Sequence, residues 1–502
     1  MRAVLVALVA LAIGCAHAPA PVPSGGAPEL VRVASSSPIV AIHVVFDSGS
    51  SDDPASLAGL ASLTATAMRE GGSERLPPAA LRRALLPMAA ELEVTVDREY
   101  VSFVGRVHRD HADDLLAVLR EILVAPAFPQ ATLERLRERE TSDIELGLLG
   151  TEDEALAEEV LYASVFGDHP YSHPTMGTRG GLARITRADL IAHRARAFCR
   201  SRMRVGIAGD VPEGFAARVS AALSEVPEAS CAPVRGLAPA PPSERRRVVL
   251  VEAEETAAVP IRVAIPHEVT RAHPDYVALS VAAAYLGLHG QFLGRLMQEV
   301  REARGLNYGD YVYSEPYSSI PGLRGPGPGH LLSHPHFDAW IRPVQPESAH
   351  FVLRLVLREI DRLVDEGIAE ADFERVRAFL LRTLPLSTEV DESRLGYRLD
   401  QRAARAALPW DEQMREGLAT LTVDDVNRAV RAHLDRRGLR AVLVVPDGAA
   451  FREALLRDAP SPPTYDHEVP ESVREADRAI ERYPLGLRPE DVVVESADSL
   501  FR

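Results

Sequence analysis

Two segments nearly half the chain apart follow one pattern. Ile185-Thr186-Arg187-Ala188-Asp189-Leu190 opens a helix that leads to an apolar strand over 203–208 and ends at Gly209-Asp210. Leu421-Thr422-Val423-Asp424-Asp425-Val426 opens another, leading to a strand over 441–445 and ending at Pro446-Asp447. Thr186 and Thr422 lie 236 residues apart (422 − 186), each placed to N-cap its helix. A chain of 502 residues is too long for one core, so the repeat predicts two homologous halves of about 200 residues each. The halves are read as 29–236 and 248–458. Between them, 237–247 begins with the Pro-rich hinge Leu237-Ala238-Pro239-Ala240-Pro241-Pro242, and a tail follows over 459–502.

Within the first half, 39–46 is an apolar strand and 47–54 a Gly/Ser/Asp/Pro loop. Gly59-Leu60-Ala61-Ser62-Leu63-Thr64-Ala65-Thr66-Ala67-Met68 then reads as a buried helix, with Ser56 as a candidate N-cap and Gly71-Gly72 as its stop. This strand, loop and helix resemble the start of the pitrilysin/insulinase family of zinc peptidases, which includes the mitochondrial processing peptidase. The rigid loop His169-Pro170-Tyr171-Ser172-His173-Pro174-Thr175-Met176-Gly177-Thr178 is a second point of resemblance. In that family the helix carries H-x-x-E-H, two histidines holding zinc and a glutamate acting on the bound water. Aligned on Gly59-Leu60-Ala61, those positions are Ser62, Ala65 and Thr66, and none can serve as ligand or base. The family's third ligand, a glutamate on a later helix, falls at Asp143, 77 residues beyond Thr66 (143 − 66), with Glu145 the other candidate. A lone carboxylate on a charged helix reads as a solvated face. Zinc needs three or four converging ligands, so no metal is expected at this site.

The second half carries Leu293-Gly294-Arg295-Leu296-Met297-Gln298-Glu299-Val300-Arg301-Glu302-Ala303-Arg304-Gly305-Leu306-Asn307-Tyr308, which resembles the family's second-half signature. There an Arg and a Tyr seven residues apart reach toward substrate at the zinc site; here they are Arg301 and Tyr308. A guanidinium and a phenol can converge on one oxyanion. The short loop Gly287-Leu288-His289-Gly290-Gln291 stands where a glycine-rich substrate-contacting loop occurs in non-catalytic subunits of the family. The resemblance implies an α+β fold of two homologous halves, each of two repeats of β-sheet backed by helices, forming a clam-shell around a peptide chamber. It also implies a non-catalytic subunit, with zinc only in a peptidase paralogue that it partners, and extended peptides as ligands. A structural or peptide-binding role on the same scaffold is the alternative, as in the core subunits of the respiratory bc-type complex, which resemble these peptidases. A third reading, an active metallopeptidase, would draw its ligands from His330, His334, His336 and Asp338, around the Gly/Pro-rich insertion 321–338. His108, His111, His169 and His173 read as loop and turn residues.

Met1-Arg2, an apolar run over 3–13 and Ala12-Ile13-Gly14-Cys15 resemble a bacterial lipoprotein leader, predicting a signal peptide over 1–14, lipidation at Cys15 and a tether over 15–28. A plain secretory signal cut near Ala16-His17-Ala18 is the alternative; either exports the chain, and the first anchors it in the periplasm by lipid alone. In an oxidising compartment Cys199 and Cys231 either pair or stay as separate buried thiols. A net charge of −16 without a Lys/Arg block argues against nucleic acid and anionic membrane surfaces as partners. There is no Gly-x-Ser-x-Gly elbow, and no Walker or dinucleotide glycine fingerprint follows a strand.

Overall fold

The computed structural model describes residues 29–315, 317 and 326–502; the leader, Cys15 and the first part of the insertion, 321–325, lie outside the described residues. The first half runs β1 (Leu30–Ala34), β2 (Ile39–Phe46), α1 (Leu60–Gly71), α2 (Pro78–Leu85), β3 (Glu91–Val96), β4 (Val101–His108), α3 (Ala112–Val124), α4 (Gln130–Ser142), α5 (Asp153–Phe166), α6 (Arg179–Arg184), α7 (Arg187–Ala197), β5 (Met203–Gly209) and α8 (Phe215–Leu223). The second runs β6 (Arg247–Glu252), β7 (Val259–Pro266), α9 (Tyr276–Gly287), β8 (Asp310–Tyr313), β9 (His336–Val344), α10 (Pro346–Asp365), α11 (Glu370–Ser387), α12 (Asp391–Ala404), α13 (Trp410–Thr420), α14 (Val423–His433), β10 (Arg440–Val445) and α15 (Gly448–Arg457). The tail adds α16 (Glu471–Ile480) and β11 (Val492–Ser496). Among the described residues no helix is long and apolar enough to cross a membrane.

The two sheets repeat each other. The first has the order β1-β5-β2-β4-β3, and the second β11-β6-β10-β7-β9-β8. With β11 set aside, the strands correspond one to one. The pairs β1/β5 and β6/β10 are parallel, and the remaining neighbours antiparallel in both. Each half therefore holds one sheet where two repeats per half were expected, because the unit that recurs is the half itself. Thr186 and Thr422 each accept from the backbone N–H three residues on, while Asp189 and Asp425 reach back to complete the capping boxes.

Each sheet is covered on one face by its own helices and on the other by a helix from the opposite half. α12 lies across β1 and β5, and α5 across β7 and β10. Leu395 and Leu399 of α12 pack with Val33, Ala41, Val45 and Ala208 of the first sheet. Val249, Val251, Ala264, Val442 and Val444 of the second sheet join the core that contains Leu161 and Tyr162 of α5. A continuous apolar run such as Ile39–Phe46 suits a strand buried on both faces. The close approach of α12 explains Gly206 on β5, where a Cβ would stand 2.6 Å from Leu395 Cδ1. Among the described residues, α5 and α12 thus carry the packing between the halves.

Polar groups finish that interface. Arg262 on β7 binds Glu158 of α5 at 2.5 Å and Asp338 of β9 at 2.7 Å, Trp340 Nε1 donates to Glu154 at 2.6 Å, and Arg106 on β4 pairs with Glu392 of α12. In the tail, Arg304 holds Asp477 of α16 at 2.8 Å, and β11 lies parallel to β6 at the sheet edge. The closing turn Ala497–Phe501 reaches the first half, where Phe501 is buried and Asp498 pairs with Arg179. Cys199 and Cys231 form a disulfide, their Cα atoms 5.7 Å apart.

Candidate functional site

α1 is built to be held rigidly. Its N-cap, Gly59, has φ +99°, a conformation side chains resist. The capping oxygens come from buried Asp53, which accepts from the N–H of Gly59 at 2.9 Å and of Ala61 at 2.8 Å, displacing Ser56 from the role its position suggested. The loop of 169–178 backs this entry. His169 Nδ1 accepts from the Tyr171 amide at 3.1 Å, and Gly177 comes so near that a Cβ would meet Ala58 O at 2.4 Å. His169 and His173 are kept neutral by burial, which lowers both pKa values, and they order the loop.

The positions where the family carries its zinc motif are poor in chemistry. Ser62 is nearly buried, Ala65 fully buried and Thr66 half-buried. Asp143 and Glu145 sit exposed on a π-helical turn, Asp143–Leu148, that continues α4. One turn beyond the motif, Glu70 is engaged by Arg135 at 2.7 Å and Arg139 at 3.0 Å. Among the described residues no group of three metal-ligating side chains gathers at α1. These residues do not fit zinc.

The second half presents Arg301 and Tyr308 together. Arg301 lies on the π-helical turn Met297–Glu302, and its guanidinium carbon is 5.0 Å from the Tyr308 ring and 5.0 Å from that of Phe292. Tyr308 is 71% exposed and Phe292 56%. Tyr308 precedes β8 by two residues, in the loop that enters it, rather than standing on the strand itself. Behind the pair is Asp310, fully buried; Asn307 Nδ2 donates to its Oδ1 at 2.8 Å, and its Oδ2 has no hydrogen-bond partner. Burial pushes the Asp310 carboxyl up to about 8, against the pull of Asn307 and Arg301. A guanidinium and a phenol so placed can donate to one substrate oxyanion or carbonyl.

His289, in the loop Gly287-Leu288-His289-Gly290-Gln291, lies in an aromatic box that sequence reasoning missed. Its ring centroid is 4.4 Å from Tyr311 and 4.6 Å from Tyr317, and its Nδ1 meets Tyr313 Oη at 2.7 Å. The alternation of Tyr311 and Tyr313 on β8 was the available signal. The insertion's groups diverge. His330 Nδ1 is 2.8 Å from Asp97, and His334 Nδ1 is 3.1 Å from Glu268. His336 is buried edge-on to Tyr162, its pKa down at about 3, and Asp338 belongs to Arg262. These four residues share no centre. His108 and His111 sit at the turn into α3, beside Asp110 and Asp114.

Residues 30–179 match the family model described as insulinase (peptidase family M16), and 184–380 match the one described as peptidase M16 inactive domain. A Helicobacter pylori protein named non-peptidase homolog YmxG is 23% identical over 81% of this chain and 89% of its own. An uncharacterized zinc protease of Mycobacterium bovis is 29% identical over 58% of this chain and 62% of its own. The crystal structure of a peptidase M16 inactive domain from Pseudomonas fluorescens superposes with a TM-score of 0.70 at 23% identity, covering 84% of this chain and 96% of that one.

Proposed function

The chain belongs to the insulinase family, peptidase family M16, and from that premise we propose that it is a non-catalytic member serving a zinc-bearing paralogue. It completes the paralogue's peptide-binding chamber in the periplasm, held at the membrane by a lipid on Cys15. Arg301 and Tyr308 reach the partner's active site and donate to the oxyanion that forms there, while extended peptides add a strand to a sheet edge. One contrast carries this reading: α1 has Ser62, Ala65 and Thr66 where the family has ligands and base, while a half-buried Arg301 and an exposed Tyr308 stand together. The test is reconstitution. The lone chain cleaves no peptide, the mixture with the zinc-bearing paralogue does, and Arg301→Ala removes the gain while leaving assembly intact. Full turnover in the Arg301→Ala mixture would discard the assigned role.

A structural or peptide-binding role without proteolysis is the second reading, favoured by the packing that α5 and α12 carry between the halves. Assembly with no effect of the chain on any paralogue's turnover would select it.

A further inference from the structure

The segment joining β7 to α9 contains His273-Pro274-Asp275, and the last residue of α14 is His433. Because α9 and α14 pack together, these three side chains meet where the N-terminus of one helix passes the C-terminus of the other. His433 Nε2 is 2.8 Å from Asp275 Oδ2. His273 Nδ1 accepts the Asp275 amide N–H at 3.0 Å, and its ring stands edge-on to His433 with centroids 5.0 Å apart. One donor atom from each of the three lies within 4.8 Å of the others. From this geometry we infer that His273, Asp275 and His433 form a binding site for a late first-row divalent cation, zinc foremost.

The chemistry suits the ion. Two imidazoles and one carboxylate are an N,N,O donor set that zinc accepts, and half-burial leaves further positions open to water. Tetrahedral zinc holds its donor atoms about 3.3 Å apart, between the 2.8 Å now spanned by His433 and Asp275 and the 4.8 Å limit of the group. The ion takes the place of the proton shared by His433 and Asp275, and His273 exchanges its amide hydrogen bond for the metal. Arg428 reaches Asp275 mainly through Oδ1, at 3.0 Å, so it can stay as an outer partner while Oδ2 binds. The site lies in the second half and involves none of the α1 positions, so it stands or falls apart from the function proposed above. Cys199, Glu228 and Cys231 also cluster, but there the two sulfurs are joined to each other.

The experiment uses the full chain with its disulfide intact, stripped by chelator and titrated with zinc chloride against a chromophoric competitor. One equivalent binds, and His273→Ala and His433→Ala each weaken it by about ten-fold or more. Should either alanine variant fail to fold, His273→Asn and His433→Gln keep the size and polarity of the ring edge, and cobalt absorption reports coordination directly. Absence of stoichiometric zinc binding, or binding unchanged in both histidine variants, would overturn the site.

Discussion

Arg262 and Asp338 face each other at 2.7 Å across two neighbouring strands of the second sheet, both buried, and Arg262 also grips Glu158 from the opposite half. Removing one partner of a buried pair strands the other's charge. Arg262→Ala should cost about 3–5 kcal/mol in urea unfolding, and Arg262→Met combined with Asp338→Leu should recover most of it. A loss under about 1 kcal/mol in the alanine variant would show that the ion pairs of Arg262 add little to the stability of the fold.

Asp310 gives the chain a pH signature. Its folded carboxyl titrates at about 8, whereas an unfolded aspartate titrates near 4. Between those values the folded state holds a proton that the unfolded state lacks. The group's contribution is therefore complete below about pH 4 and is lost as pH rises through 8. Asp310→Asn removes this slope, so the variant should gain on the wild type as melting is measured from pH 5 toward pH 9. Parallel stability curves would refute the buried, proton-holding state.

Thr186 and Thr422 make the same capping box in two distant copies. Thr186→Ala and Thr422→Ala should each cost about 1 kcal/mol, and the double variant should lose the sum to within about 0.5 kcal/mol. A large excess in the double variant would mean that the two capping sites are energetically coupled.

Ala65 occupies the motif position of the family's glutamate and is fully buried. Ala65→Glu should destabilise the chain by more than about 2 kcal/mol, since a carboxylate there is taken out of water. An unchanged melting temperature would mean that this face of α1 is open to solvent, and that reinstalling the metal motif is physically feasible.

What the sequence disclosed was local. Thr186 with Asp189, and Thr422 with Asp425, announce helix starts within four residues, and the strand, loop and helix around Gly59 follow from neighbouring glycines and apolar runs. The family, the α+β class and the two halves were all legible from such segments. What escaped notice depends on contacts between residues far apart in the chain. Asp53 displaces Ser56 because the chain folds it back over Gly59 and Ala61. His330, His334 and His336 read as one cluster yet separate, since Asp97, Glu268 and Tyr162 each claim one of them. The exchange of α5 and α12 between halves was invisible for the same reason; a helix face shows that it is apolar, not which sheet it will cover. The pairing of Cys199 with Cys231 stayed open until both termini of the connection were placed.

The tail crosses from one half to the other, running along β6 before seating Phe501 under the first half's helices. Residues 497–501 are synthesised after both halves, so this buckle can fasten only once the two bodies have folded and met. Whatever loosens it, a proteolytic nick ahead of β11 or the removal of the Phe501 ring from the first half's core, acts on the union of the halves as well as on the half it touches.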